Sequence, residues 1–318
     1  MFHGKEYILE VYRTKSFSKA AAKLYISQPA LSATIKRLEA QLGFPVFDRS
    51  TAPVKPTEYG LEYIKAAERM KEIEQDFENY LNDVNQLKTG HLSIGSNHLC
   101  ASFILPLLIR EFKEIHPSIE VDLIEASTPH LEQLLFSGEL DFVVDNYLLK
   151  ESVYARHLLY GERLILAVPR EYACNGELIK YQLTAEDILN GKHMEQDVPG
   201  VPLELFQDYP FIFLKAGNDT RLRADRICSE SNIKPRIIMV LDQLVTAYNI
   251  VCTGMGITFV SDTLIQKVSP ERNLVFYKLS GPYTYREVYL YNRSNRYVTK
   301  AMQEFIGMTA KKNGSLQK

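Results

Sequence analysis

The sequence predicts an α+β protein of several domains: a small helical domain at the N-terminus, a long helix after it, and a C-terminal α/β domain of two lobes. Three observations predict this. Residues 4–60 contain two capped helix starts a short turn apart, residues 59–87 carry an apolar heptad, and after Gly90 the pattern changes to alternating strands and helices.

The N-terminal helices come first. Tyr7, Ile8, Val11 and Tyr12 recur at helical spacing and give one apolar face. Ser16 offers an N-cap to a second helix whose Ala20, Ala21 and Ala22 let another helix cross at close range. Ser27 caps a third, Pro29 occupies the first turn, where a helix tolerates it, and Gly43 ends it. Two helices joined by a short turn form a helix-turn-helix, whose second helix presents its first side chains to a major groove. Gln28, Ser32, Thr34, Lys36 and Arg37 are the polar side chains available there. Gln28 and Ser32 stand four apart on one face and can reach base edges, while Lys36 and Arg37 lie nearer phosphates.

Charge supports that placement. The whole chain is at −2, yet residues 1–60 carry nine Lys/Arg against five Asp/Glu, or +4, while residues 61–90 and 91–318 are each at −3. Only the first segment has the sign that double-stranded DNA requires.

The long helix follows. Tyr59, Tyr63, Ala66, Met70, Ile73, Phe77, Tyr80, Val84 and Leu87 alternate gaps of four and three, with no Gly or Pro between Leu61 and Thr89. Such a seam predicts a coiled coil, and a helix of about 30 residues, roughly 45 Å long, needs a partner to be stable. A second copy of the chain fits.

From residue 92 the reading is strand (92–95), helix (103–115), strand (119–125), helix (129–137) and strand (140–144), the βαβαβ order of an open parallel sheet. A second lobe starts at 163–168 and includes a strand at 211–214, a helix near 220–230, a strand at 236–241 and a helix ending at Gly254-Met255-Gly256. Strands at 275–279 and 287–292 and a helix at 299–308 are expected to return to the first lobe. In such sheets ligands bind at the carboxyl ends of strands, where helix N-termini offer free N–H groups to anions. That places Ser96, Asn97 and His98, Ser127 and Thr128, and Lys215, Thr220 and Arg221 around one polar cleft suited to a small anion. His193, Glu195 and Asp197, in the long stretch 172–209, read as a solvated loop and not as a metal site.

A chain of 318 residues, 46% hydrophobic and 24% charged, excludes wholesale disorder. The longest apolar run, 103–109, contains Pro106 and is far shorter than the roughly 20 residues of a membrane-spanning helix. No membrane partner is expected. The opening residues show no apolar core behind a basic region, so the cytoplasm is the expected compartment. Cys100, Cys174, Cys228 and Cys252 are scattered, without metal-ligand spacing, and read as reduced thiols. Cys100, near a strand end, is the one position where a redox role is left open. An enzyme or solute receptor on the same scaffold would need a nucleophile motif, a P-loop, a CxxC or an export signal, and none is present; no cofactor and no enzymatic activity are expected. A C-terminal domain that holds a dimer without any ligand is the remaining alternative.

The run from Ser16 to Arg49, Ser-Phe-Ser-Lys-Ala-Ala-Ala-Lys-Leu-Tyr-Ile-Ser-Gln-Pro-Ala-Leu-Ser and onward, continuing to Pro56-Thr57-Glu58-Tyr59-Gly60, closely resembles the winged helix-turn-helix of LysR-type transcriptional regulators. The resemblance extends more weakly through Ser137-Gly138-Glu139-Leu140-Asp141 and Gly254-Met255-Gly256-Ile257. It implies a cytoplasmic DNA-binding regulator with a winged domain (1–60), a dimerising linker helix (61–89) and a periplasmic-binding-protein-like effector domain (90–318). Within the last, the first lobe takes 90–161 and 265–318 and the second 162–264. It also implies a small-molecule effector, tetramers as well as dimers, and contact with RNA polymerase if the chain activates. Carried over by position, DNA contacts fall on Gln28, Pro29 and Ser32, with Lys36 and Arg37 nearby and Arg49 at the wing. Ala33 and Ala52 stand where the family has polar or basic residues, and Lys55 is placed to supply the missing wing charge.

Overall fold

The computed structural model describes residues 2–84, 90–269 and 272–312. It divides into two compact units, 1–84 and 85–318.

The first unit is a winged helix-turn-helix with its long helix. α1 (Lys5–Thr14), α2 (Phe17–Lys23) and α3 (Gln28–Leu42) pack Ile8, Val11, Ala20, Ala21, Leu31 and Ile35 into one core. Ser16 and Ser27 cap α2 and α3 as their positions predict, accepting from the N–H groups of Lys19 and Ala30. Between them Tyr25 turns the chain in the left-handed region, its ring 96% exposed. Two short antiparallel strands, β1 (Phe47–Asp48) and β2 (Lys55–Pro56), form the wing. α4 (Glu58–Val84) then runs for 27 residues. Its heptad seam divides in two: Tyr63, stacked on Phe2 at 5.2 Å, joins the winged domain's core together with Ile64 and Ala67. Met70, Ile73, Phe77 and Tyr80 stay exposed, Ile73 at 68% and Phe77 at 60%. Leu87 lies outside the described residues.

The second unit is α/β: two sheets share one strand, and a parallel pair of strands, 210–214 with 236–241, forms a separate small sheet. β3 (Gly90–Ser96), α5 (His98–Phe103), α6 (Leu105–Ile115), β4 (Ile119–Glu125), α7 (Thr128–Ser137) and β5 (Phe142–Asp145) give the expected parallel order, β4-β3-β5. Leu92, Phe112, Phe142 and Phe305 fill its core.

β6 (Tyr154–Pro169) is a single 16-residue strand that belongs to both lobes. The second lobe continues with β7 (Gln182–Leu183), α8 (Ala185–Leu189), β8 (Pro210–Leu214), α9 (Asp219–Glu230), β9 (Arg236–Leu241), α10 (Leu244–Cys252), β10 (Thr258–Ser261), α11 (Asp262–Lys267) and β11 (Leu274–Lys278). β12 (Tyr285–Arg293) and α12 (Lys300–Lys311) close the chain. The first ten residues of β6, from Tyr154 to Arg163, pair with β12 in the first lobe, and its last part pairs with β10 and β11 in the second.

Two details differ from the sequence reading. β11 is expected in the first lobe, but its partners are β6 at Ile165–Pro169 and β7, so the chain stays in the second lobe through residue 278. A buried apolar strand reads the same in either sheet, and pairing alone decides which it joins. The stretch 172–209 is also more than a loop: it holds α8, with a capping box between Thr184 and Asp187, and several 3-10 turns.

Candidate functional site

α3 buries Leu31, Ile35 and Leu38 and leaves Gln28, Pro29, Lys36 and Arg37 exposed, with Ser32 and Thr34 half-buried. The residues expected to meet DNA thus share one solvent-facing helix surface. Arg49 has a different part. It leaves the wing for α3, where one guanidinium nitrogen donates to Ser32 Oγ at 3.0 Å and the other meets Glu39 Oε2 at 2.9 Å, with the plane 4.9 Å over the Phe17 ring. Glu39 in turn accepts the N–H groups of Val46 and Phe47 through its other oxygen. This chain of bonds fixes the wing against the recognition helix and sets the orientation of Ser32. Lys55 is exposed on β2, in register with Asp48.

In the second unit the residues expected around the cleft are only partly brought together. Ser96 is fully enclosed at the end of β3 and donates to Val144 O at 2.9 Å. Asn97 caps α5 through Cys100 N. Thr128, in the first turn of α7, donates to Asp145 Oδ2 at 2.7 Å, and Ser127 begins that helix with no side-chain cap bond. Thr220 is buried and accepts from Arg286. His98 turns instead to Glu125 (3.1 Å), and Lys215 to Asp242 (2.8 Å), both near the surface. Arg221 lies along α9, bonded to Asp225 and Leu214 O with its guanidinium over Phe213.

Four charged residues that the sequence does not single out organise this region. Arg286 on β12 is 3% exposed; its Nε donates to Glu162 Oε1 at 2.7 Å, while Nη1 reaches Asp219 Oδ2 at 2.9 Å and Thr220 Oγ1 at 2.8 Å. The two carboxylates outweigh burial and hold the guanidinium charged. One side chain thereby ties both crossing strands to the N-terminus of α9. Asp145 is the fourth: burial raises its carboxyl above the ordinary range, against the hydrogen bonds from Thr128 and the backbone of Tyr147 and Asn146. It sits at a strand's carboxyl end, the signal that marks Ser96, but one residue past the apolar run. Arg286 and Glu162 give no signal, because charged residues on a strand ordinarily face water.

Cys100 is 2% exposed, 3.5 Å from the Tyr160 hydroxyl, and burial pushes its thiol up to about 12. A redox sensor needs an exposed, low-pKa thiol, so this position is unsuited. His193 is buried against Asp262 at 2.9 Å, whereas Glu195 and Asp197 face solvent. Among the described residues no group of three or more His, Cys, Asp or Glu is placed to hold a metal ion.

Comparison with known proteins agrees with both units. The bacterial regulatory helix-turn-helix model of the LysR family matches residues 4–61, and the LysR substrate binding domain model matches 85–313. The uncharacterised HTH-type transcriptional regulator YcgK of Bacillus subtilis (strain 168) is 30% identical over 307 residues, covering 96% of this chain and 92% of that one. Among solved structures, full-length CbnR complexed with its target DNA aligns over 98% of this chain and 99% of its own at 17% identity and a TM-score of 0.59. The effector binding domain of QuiR in complex with shikimate aligns over 70% of this chain and 96% of its own, at 19% identity and a TM-score of 0.55. A recognition helix braced by its wing, a long helix and a two-lobed substrate-binding domain, each matched in order by these comparisons, make this chain a member of the LysR family of transcriptional regulators.

Proposed function

We propose that the protein reads promoter DNA as a dimer through Gln28, Pro29, Ser32, Thr34, Lys36 and Arg37, with Arg49 and Lys55 at the wing, in the cytoplasm. A small anionic effector in the cleft of the C-terminal domain controls that binding. The observation that carries the DNA reading is the exposed face of α3 with Ser32 fixed by Arg49. Dimerisation is supported by the unpartnered apolar stripe of α4, where Ile73 and Phe77 face solvent. The effector domain offers further self-association surfaces at two edge strands, β4 with Leu123 and Ile124 and β9 with Ile237, Ile238 and Val240 exposed.

The effector reading rests on the start of α7, where Ser127 makes no side-chain cap bond and the first N–H groups of the helix can meet an anion; Thr128, Ser96, Asn97 and Thr220 are assigned to the same cleft. A carboxylate there would displace the Thr128 hydroxyl from Asp145. His98, Lys215 and Arg221 are assigned to the rim. A ligand that favours one lobe closure shifts the arrangement of recognition helices only as far as its affinities for the two states differ.

Duplexes selected from a random pool test the DNA reading by fluorescence anisotropy. Gln28→Ala or Arg37→Ala should weaken the selected site at least about tenfold, and Ile73→Glu with Phe77→Glu should give monomers in light scattering. Retained affinity in both α3 variants would place the reader elsewhere. A thermal-shift screen of carboxylates and sugar phosphates, repeated on Thr128→Val, tests the cleft.

A further inference from the structure

A cavity of about 290 Å³ lies where the inserted stretch 172–209 meets the two crossing strands. That volume is near the lower end of small-molecule sites, about 300 Å³. Glu162 and Tyr160 on β6, Tyr285 on β12, His193 in the 3-10 turn after α8, and Asp262 with Gln266 on α11 line it. None of these is among the residues assigned to the cleft above, and Glu162 alone is shared with the charged cluster behind it, through Arg286.

Two buried polar atoms of its lining residues lack partners among the described residues. Glu162 is 2% exposed; Oε1 takes the bond from Arg286, and Oε2 has no hydrogen bond among the described residues. His193 is 1% exposed. Asp262 accepts with both oxygens, Oδ1 from the N–H groups of Arg163 and Thr263 and Oδ2 from His193 Nε2 at 2.9 Å. His193 Nδ1 is also without a partner among the described residues. A buried carboxylate oxygen left unpaired is expensive, and a donor that reaches Glu162 Oε2 is favoured. The lining contains two carboxylates, Glu162 and Asp262, and neither Lys nor Arg. Arg286 is shared between Glu162 and Asp219, and Arg163, over the Tyr285 ring at 5.5 Å, lies outside the lining. Leu189 and Met194 add an apolar wall.

We propose that this cavity is a second ligand site, for a small primary amine whose ammonium group donates to Glu162 Oε2 and whose short carbon chain lies against Leu189 and Met194. Binding stands independently of the cleft. Glu162 also gives it a route there, since the carboxylate that would hold the amine holds Arg286, and Arg286 holds Asp219 and Thr220; this coupling rests on the cleft reading.

The test is calorimetric titration of the full-length protein with ethylamine, putrescine and agmatine at constant ionic strength, with ethylene glycol and acetate as uncharged and anionic controls. At least one amine should bind saturably at millimolar concentration. Its affinity should fall about tenfold or more in Glu162→Gln and in Gln266→Trp, which fills the half-buried rim, and stay unchanged in Thr128→Val. If Glu162→Gln loses its native circular dichroism, Gln266→Trp decides. No amine binding, binding undiminished in Gln266→Trp, or binding lost equally in Thr128→Val would overturn the proposal, the first two without touching the DNA reading.

Discussion

Asp145 shows how one side chain couples the interior to pH. It is 1% exposed, and burial raises its carboxyl above the ordinary 3.8, so the native state holds its proton more tightly than the unfolded chain does. The stabilisation from this group is full below the unfolded value and is lost as pH rises through the raised native value. Asp145→Asn removes that titration. In urea unfolding between about pH 4 and pH 7, wild type should lose stability relative to the variant as pH rises; a constant difference across the series would assign the shift to another group. Cys100 makes the opposite case, a group silenced by burial. With its thiol at about 12, iodoacetamide at neutral pH should label it only after unfolding, and labelling of the native protein would reopen a redox role. Legibility at this scale follows chain geometry. Ser96 and Thr128 can be found because strand and helix ends are visible in a sequence. Glu162 and Arg286 cannot, because partners 124 residues apart meet only where two strands cross between lobes, and neither can the pair His193 and Asp262, 69 apart, which meet only when the turn after α8 packs against α11.

At the scale of elements, the junction of wing and long helix is the tightest joint in the first unit. A Cβ on Gly60 would stand 2.0 Å from Val46 O, a backbone atom held by Thr57 N and unable to retreat. Gly60→Ala should therefore destabilise the winged domain by about 1–3 kcal/mol, as overpacking does, and weaken DNA binding with it. Chemical denaturation of residues 1–84 and anisotropy of the full chain would check this; wild-type values in both would mean that the joint yields. The caps on α2 and α3, the Pro29 start and the heptad are legible because each is a local signal. That the heptad changes role after Tyr63 is not, since the spacing continues while its residues pass from the winged domain's own core to an exposed stripe. The apolar pattern puts β11 in the wrong lobe for the same reason, its register being set by β6 and β7 and not by its own residues.

Across the whole molecule the charge is divided by function. The chain is at −2 and its first 60 residues are at +4; with the DNA reader proposed there, affinity should fall steeply with salt, and Lys36→Ala or Arg37→Ala should each lower the log–log salt slope by about 1. An unchanged slope would show that neither meets phosphate. The shared strand β6, which gives the effector domain its two lobes, stays half hidden in the sequence, because Arg156, His157, Glu162 and Arg163 interrupt its apolar pattern and only its second half reads as a strand.

That strand has a consequence for how such chains diversify. Arg163 and Tyr285 are register partners across β6 and β12, so everything from residue 164 to 284 leaves and re-enters the first lobe at a single rung of one ladder. Gly161 sits beside that rung, where a Cβ would strike the Tyr285 hydroxyl. The second lobe is topologically the loop of a very long hairpin, a guest carried by a complete host sheet. A two-residue Asn-Gly link would close the same ladder without it. Exchanging the whole guest at that one seam would leave every strand of the host with its neighbours.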